Sequence, residues 1–102
     1  MPKRIKKYVE SLNESLKNPK EAAAYLNAHL DESESEELFL LALRDVAKVY
    51  GFGEIASQAS LGRESLYKAL SKNGNPKLST LKALLKAVGL KLVVEKEDKK
   101  AS

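Results

Sequence analysis

Residues 53–70 constrain this chain more than any other stretch, because they hold two short helical patterns with almost nothing between them. Ser60, Leu61 and Gly62 separate the two, and the second opens with Arg63, Glu64 and Ser65. This is the layout of a helix-turn-helix, in which the second helix lies in the DNA major groove with its first residues at base edges. The small and apolar residues fall where such a pair needs them. Ile55 and Ala56 pack the first helix inward, Ala59 permits a close crossing, Leu61 plugs the turn, and Leu66 and Leu70 anchor the second helix. Arg63, Glu64, Tyr67 and Lys68 are then left facing outward, because residues i and i+4 share a helix face.

The charge pattern suits that layout. The formal charge is only +4, from 18 basic and 14 acidic residues. It is unevenly placed: through Tyr50 there are eight basic and nine acidic residues, and from Gly51 onward ten and five. Between Arg63 and Lys91, seven basic residues (Arg63, Lys68, Lys72, Lys77, Lys82, Lys86 and Lys91) face Glu64 alone. A basic field beside such a helix pair attracts phosphate, although a solvated lysine-rich face has the same composition.

A length of 102 residues is one domain's worth. With 43% apolar residues, no Trp, four Tyr and two Phe, the core should rest on Leu, Ala and Val. The chain has no Cys, which removes disulfides and thiolate metal sites and fits a cytosolic protein. No apolar run approaches the roughly 18 residues of a membrane span. The basic residues 1–7 are not followed by a signal-type apolar stretch. The expected location is the cytoplasm, without membrane contact.

Along the chain, Ile5, Tyr8, Val9, Leu12 and Leu16 recur at helical spacing. Asn18-Pro19-Lys20-Glu21 reads as a helix start, with Asn18 as N-cap, Pro19 at the first position and Glu21 closing a capping box. A short amphipathic helix follows to Leu30, with small Ala22, Ala23 and Ala24. Residues 31–37 are acidic and serine-bearing and lead into the most apolar helix, residues 38–50. Phe39, Leu43, Val46, Ala47 and Tyr50 form its inward stripe, and Gly51 and Gly53 bracket its end. Residues 71–77 are a turn-rich loop. A helix beginning at Leu78 or Ser79 places Leu81, Leu84, Leu85 and Val88 inward and is closed by Gly89. Residues 90–95 favour a β-strand with Leu90, Leu92 and Val94 on one face. A lone strand needs a partner, most simply the same strand of a second copy; the bland alternative is an irregular segment pressed on the core. The expected organisation is an N-terminal helical arm (1–17), a main domain (18–95) and a charged tail (96–102).

Residues 61–70 (Leu-Gly-Arg-Glu-Ser-Leu-Tyr-Lys-Ala-Leu) and 74–81 (Gly-Asn-Pro-Lys-Leu-Ser-Thr-Leu) strongly resemble the addiction-module antidote family, helix-turn-helix antitoxins of the HigA type. Residues 22–28 and 39–47 are also similar to that family. The likeness covers roughly residues 11–94. It implies a small, mainly α, dimeric DNA-binding protein; with the reading of residues 90–95, the expected fold is a five- to six-helix, Cro/lambda-repressor-like helix-turn-helix domain whose short C-terminal strand pairs across the dimer. It further implies a partner toxin of the RelE or HigB type, a ribonuclease acting on messenger RNA, and repression of the shared operon. Two positions depart from similar proteins, which have Gly where this chain has Ser60 and Asn or Ser where it has Gly62. Either Ser60 takes the left-handed conformation, costing on the order of 1 kcal/mol, or the turn re-registers so that Gly62 does. The second option shifts the start of the next helix by about one residue.

The expected base contacts are Arg63, whose fork matches guanine, Glu64, which can accept from the cytosine amino group, and Lys68, which can reach guanine or phosphate. Ser65, Tyr67, Lys72, Asn75 and Lys77 are the expected phosphate contacts, with Ser57 and Gln58 as weaker candidates. Ser65 reads equally well as a first-turn helix residue, and Tyr67 as a cover for the core. For the toxin, the candidates are residues 5–30 and the acidic run 31–37. An enzyme is not expected. His29 has no paired nucleophile, Glu32, Glu36 and Glu37 lack a calcium-loop pattern, Ser65 has no base in motif spacing, and no glycine-rich phosphate loop occurs. No cofactor or metal is therefore expected. The rival readings are a stand-alone prophage-type repressor without a toxin and a protein-interaction module that binds no DNA.

Overall fold

The computed structural model describes residues 3–31 and 35–97, which contain six helices: α1 (Lys3–Leu16), α2 (Pro19–Asp31), α3 (Glu36–Tyr50), α4 (Phe52–Gln58), α5 (Arg63–Ala69) and α6 (Leu78–Ala87). The helix that buries the most residues is also the central one, with α3 packing against α1, α2 and α4. It buries Phe39, Leu40, Ala42, Leu43, Val46 and Ala47. Leu16 of α1, Leu26 of α2, Ile55 of α4, Leu66 of α5 and Leu84 of α6 join them in a single core. Full burial of one such aliphatic side chain contributes about 1.5–3 kcal/mol.

Local chemistry sets the ends of these helices. The Asn18 side-chain oxygen accepts from the Lys20 N–H at 2.9 Å, and Pro19 opens α2 as expected. Glu21 does not close the capping box. Its carboxylate accepts from the Ser15 hydroxyl instead, while the Asn18 N–H donates to the Ser15 carbonyl at 3.1 Å. The tight α1–α2 turn brings Ser15 within reach and leaves the box without its donor. Ser35 caps α3 by accepting from the Glu37 N–H. Tyr50, at the far end of α3, is half-buried and donates its hydroxyl to the Lys17 carbonyl at 2.8 Å, pinning that same turn.

The stripe expected on α1 is buried only toward its C-terminal end. Leu16 is inside and Leu12 half-buried, but Tyr8 and Val9 are exposed; the Ile5 side chain lies outside the described residues. The expected C-terminal strand also needs correction. Among the described residues there is no strand, and residues 90–97 are irregular. Leu90 packs on the core, whereas Leu92, Val93 and Val94 are exposed. β-propensity alone cannot make a ladder, because the backbone groups need a second strand and the described residues offer none. Of the acidic run, residues 32–34 lie outside the described residues, as does most of the tail, 98–102.

The turn between α4 and α5 decides how the second helix is presented. Ser60 has φ +57°, and it is the non-glycine residue in the left-handed region among those described. Its N–H donates to the Ser57 carbonyl at 3.1 Å, and the Leu61 N–H donates to the Ala56 carbonyl at 2.8 Å. These are the two bonds of a Schellman cap, with Ser60 where glycine usually sits. The end of α6 makes the same pair of bonds with Gly89 (φ +81°) in that place. Gly62 is extended (φ −71°, ψ 154°) and serves as N-cap, so α5 begins at Arg63. The turn is therefore not re-registered. The left-handed serine costs about 1 kcal/mol, which is outweighed by the complete burial of both Leu66 and Leu70.

Two outcomes are expected. Ser60→Gly should stabilise the fold by about 1 kcal/mol and raise its melting midpoint by roughly 4–8 °C; a lower midpoint by calorimetry would contradict the strain assigned to Ser60. The second concerns Tyr25, whose hydroxyl donates to the Asp45 carboxylate at 3.1 Å and ties α2 to α3. Burial, then the Asp45 charge, pushes its phenol from 10.0 up to about 12. The folded form favours the protonated phenol, so this tie is complete below pH 10 and fades as pH rises through about 12. Tyr25→Phe should cost about 1 kcal/mol near pH 7. In urea unfolding, the gap between parent and variant should close across that alkaline window; a gap independent of pH would count against the tie.

Candidate nucleic-acid interface

The buried face of α5 fixes what its other face shows. Leu66 and Leu70 are fully buried, so Arg63, Glu64, Ser65 and Lys68 stand exposed in solvent. Among the described residues, the side chains of Arg63, Glu64 and Lys68 have no hydrogen-bond or ion-pair partner. Glu64 and Lys68 are one turn apart on one face, yet they do not pair. Cations and a carboxylate thus project unpaired from a short rod whose direction is set by the Ser60 turn. Ile55 and Ala56 of α4 are buried, and Ala59 and Leu61 are half-buried against the same core, as the residue pattern anticipates.

The loop after α5 is folded onto that helix's end. The Ser71 hydroxyl donates to the Lys68 carbonyl at 2.8 Å, and the Gly74 N–H donates to the Ser71 carbonyl at 2.9 Å. A Cβ on Gly74 would lie 2.2 Å from the Ala69 carbonyl oxygen, so no larger residue fits that approach. This contact holds the loop bearing Lys72, Asn75 and Lys77 against α5, and all three are exposed. On α4, Ser57 and Gln58 are exposed, with Gln58 donating to Glu54 at 3.4 Å.

Tyr67 differs from its neighbours on α5. It is half-buried, with its ring centroid 4.2 Å from that of Phe52 at an angle of 34°. The Arg44 guanidinium carbon lies 5.0 Å from the centre of the same ring. Such contacts contribute about 0.5–1.5 kcal/mol for the aromatic pair and about 0.5–1 kcal/mol for the cation. Tyr67 therefore covers the core and joins α3, α4 and α5. Arg44 is the residue that the pattern of residues 53–70 did not bring out. Its one sequence signal is a cation within the apolar run of α3, between Leu43 and Val46.

The remaining expected site residues fall elsewhere. Leu90, Leu92 and Val94 lie on the irregular C-terminal segment, away from α5 in the chain, with Leu92 and Val94 exposed. His29 packs edge-on against Tyr25, and its Nδ1 lies 2.9 Å from the Tyr25 carbonyl oxygen. Glu36 and Glu37 occupy the first turn of α3, and Glu32 lies outside the described residues. Among the described residues, no helix is long and apolar enough to cross a membrane.

The chain is 42% identical over 82 residues to an uncharacterized protein of Haemophilus influenzae (strain Rd), an alignment covering 80% of this chain and 84% of that protein. No solved structure matches significantly. A family profile described as "Probable addiction module antidote protein" matches residues 6–96, almost the whole described chain. An antidote acts against a toxin, so a partner toxin of some kind follows from the match. The chain belongs to the probable addiction module antidote family, and its role is that of an antitoxin.

Proposed function

We propose that this chain is the antitoxin of a type II toxin–antitoxin module. In this reading it neutralises a RelE- or HigB-like ribonuclease in the cytoplasm and represses its own operon by binding operator DNA as a homodimer. The observation that carries the DNA part is the unpaired Arg63, Glu64 and Lys68 on α5. They sit on a helix whose start is fixed by the Ser60 turn, within the basic window 63–91. The α4–α5 pair acts as a helix-turn-helix, with α5 in the major groove. Arg63 and Lys68 read guanine and Glu64 reads cytosine. Ser65, Lys72, Asn75 and Lys77 meet the backbone, which fixes position without reading sequence. Leu92, Val93 and Val94 give the exposed apolar surface through which two copies associate. Two half-sites then lie about 34–36 Å apart.

Neutralising the toxin falls to the N-terminal elements. Tyr8 and Val9 project from α1. Val9 lines a groove between α1 and α3 together with Leu12 and Val49, and Glu10, Glu14, Asp45, Lys17 and Lys48 line it as well. An RNA-binding toxin presents basic surface, and this mixed apolar and acidic face is its complement.

Gel shifts on the DNA upstream of the chain's own reading frame test the first part. Arg63→Ala should cost roughly 1–3 kcal/mol on the preferred site and relax its sequence preference. Parent-like binding would remove Arg63 from the base readers. Lys72→Ala should weaken all sequences alike and lower the salt slope by about 1. For the second part, the pair Tyr8→Lys and Val9→Lys, which removes the apolar contact and adds like charge to that of the toxin, should abolish co-purification with the product of the adjacent gene. Undiminished co-purification would move the toxin contact elsewhere.

A further inference from the structure

Among the described residues, no carboxylate answers the positive charge of Arg44. It sits half-buried in the middle of α3. Its neighbour Asp45 is engaged by the Tyr25 hydroxyl. Among the described residues, the guanidinium has no carboxylate within ion-pair distance and no hydrogen bond. Its Nε is sealed from solvent without a partner, whereas its two terminal nitrogens are not sealed. Taking a guanidinium half out of water without an acceptor is unfavourable, and an aromatic ring compensates only in part. The ring beneath it is Tyr67, one turn beyond Arg63 and Glu64 on α5. An anion at the open edge of Arg44 would therefore lie beside the helix that enters the groove. The anion that flanks a DNA groove is the phosphate backbone, and a planar guanidinium fork suits its oxygens better than an ammonium does.

We propose that Arg44 is a DNA-phosphate anchor supplied from outside the helix-turn-helix, with the Tyr67 ring serving as the plate that holds its guanidinium in place. The inference rests on the DNA-binding reading above and adds a contact to it. The Tyr67 ring packs on Phe52, so the plate is held by α4 as well as α5. The anchor thus couples backbone contact directly to the placement of α5.

The test is a salt titration of the full chain on a mixed-sequence duplex, read by fluorescence anisotropy. Arg44→Met and Arg44→Gln both remove the charge, and thermal melting identifies which of them stays folded like the parent. In a folded neutral variant, the slope of log affinity against log salt should shrink by about 1, with roughly tenfold weaker binding at low salt. Arg44→Lys should keep the parent slope, because the charge remains. A folded neutral variant with the parent slope overturns the assignment, even if its affinity falls, since that result marks a packing role alone. If Lys72→Ala lowers the slope while the neutral Arg44 variants do not, Arg44 alone is wrong. A parent chain that binds no duplex overturns the DNA reading and this anchor together.

Discussion

A single backbone conformation orients the surface that matters. Ser60 turns the chain left-handed after α4, and the two capping bonds from Ser60 and Leu61 lock the turn. Gly62 then runs extended into α5, so Arg63 is that helix's first residue. Once the start is set, the 3.6-residue repeat decides the rest: Leu66 and Leu70 go inward, while Arg63, Glu64 and Lys68 go out. Starting the helix one residue later would rotate every side chain by about 100° and bring the wrong groups to the surface. The strain at Ser60 is small beside the burial of two leucines, which is why a serine is tolerated there.

The molecule is organised in two parts that share α3. On one side, α1 and α2 pack on each other and on α3, with Tyr8 and Val9 exposed on α1. On the other, α4 packs with α5 and α6, and the basic window runs from the start of α5 to just beyond α6. Antitoxin action requires grip on a protein, and the proposed operon control would require grip on DNA as well. A chain this small can hold both partners at once only if their contacts lie on different helices. Arg44 belongs to the shared helix but reaches the second part through Tyr67, so α3 is both the core of the molecule and a brace for α5.

What could be read from the residues alone was local. The spacing in α3 and α6, the Asn18–Pro19 start of α2 and the Gly89 stop of α6 depend on neighbours within a turn or two, and all were legible. The start of α5 was legible only to within a residue, because two placements of the turn differ by about 1 kcal/mol and tertiary packing decides between them. Glu21 was misread because its real partner, Ser15, comes close only after α1 and α2 fold on each other. The C-terminal segment has the composition of a strand, but a strand is defined by a neighbour, which composition cannot supply. Arg44 was missed for a similar reason. Its contact with Tyr67 joins two helices that are not adjacent in sequence, and nothing in the spacing of α3 announces it. The proposed roles of the α5 residues rest on the residue pattern together with the family resemblance, and Arg63, Glu64 and Lys68 are exposed and unpaired among the described residues.

The most direct test of the central claim is methylation interference on the DNA upstream of the chain's own reading frame. Dimethyl sulfate marks guanine at N7 in the major groove and adenine at N3 in the minor groove, so one experiment reports which groove is occupied. The account expects loss of binding from methylated guanines in two clusters, centred about one helical turn apart. Interference confined to adenine N3, or a duplex bound equally well whatever guanines are methylated, would contradict it.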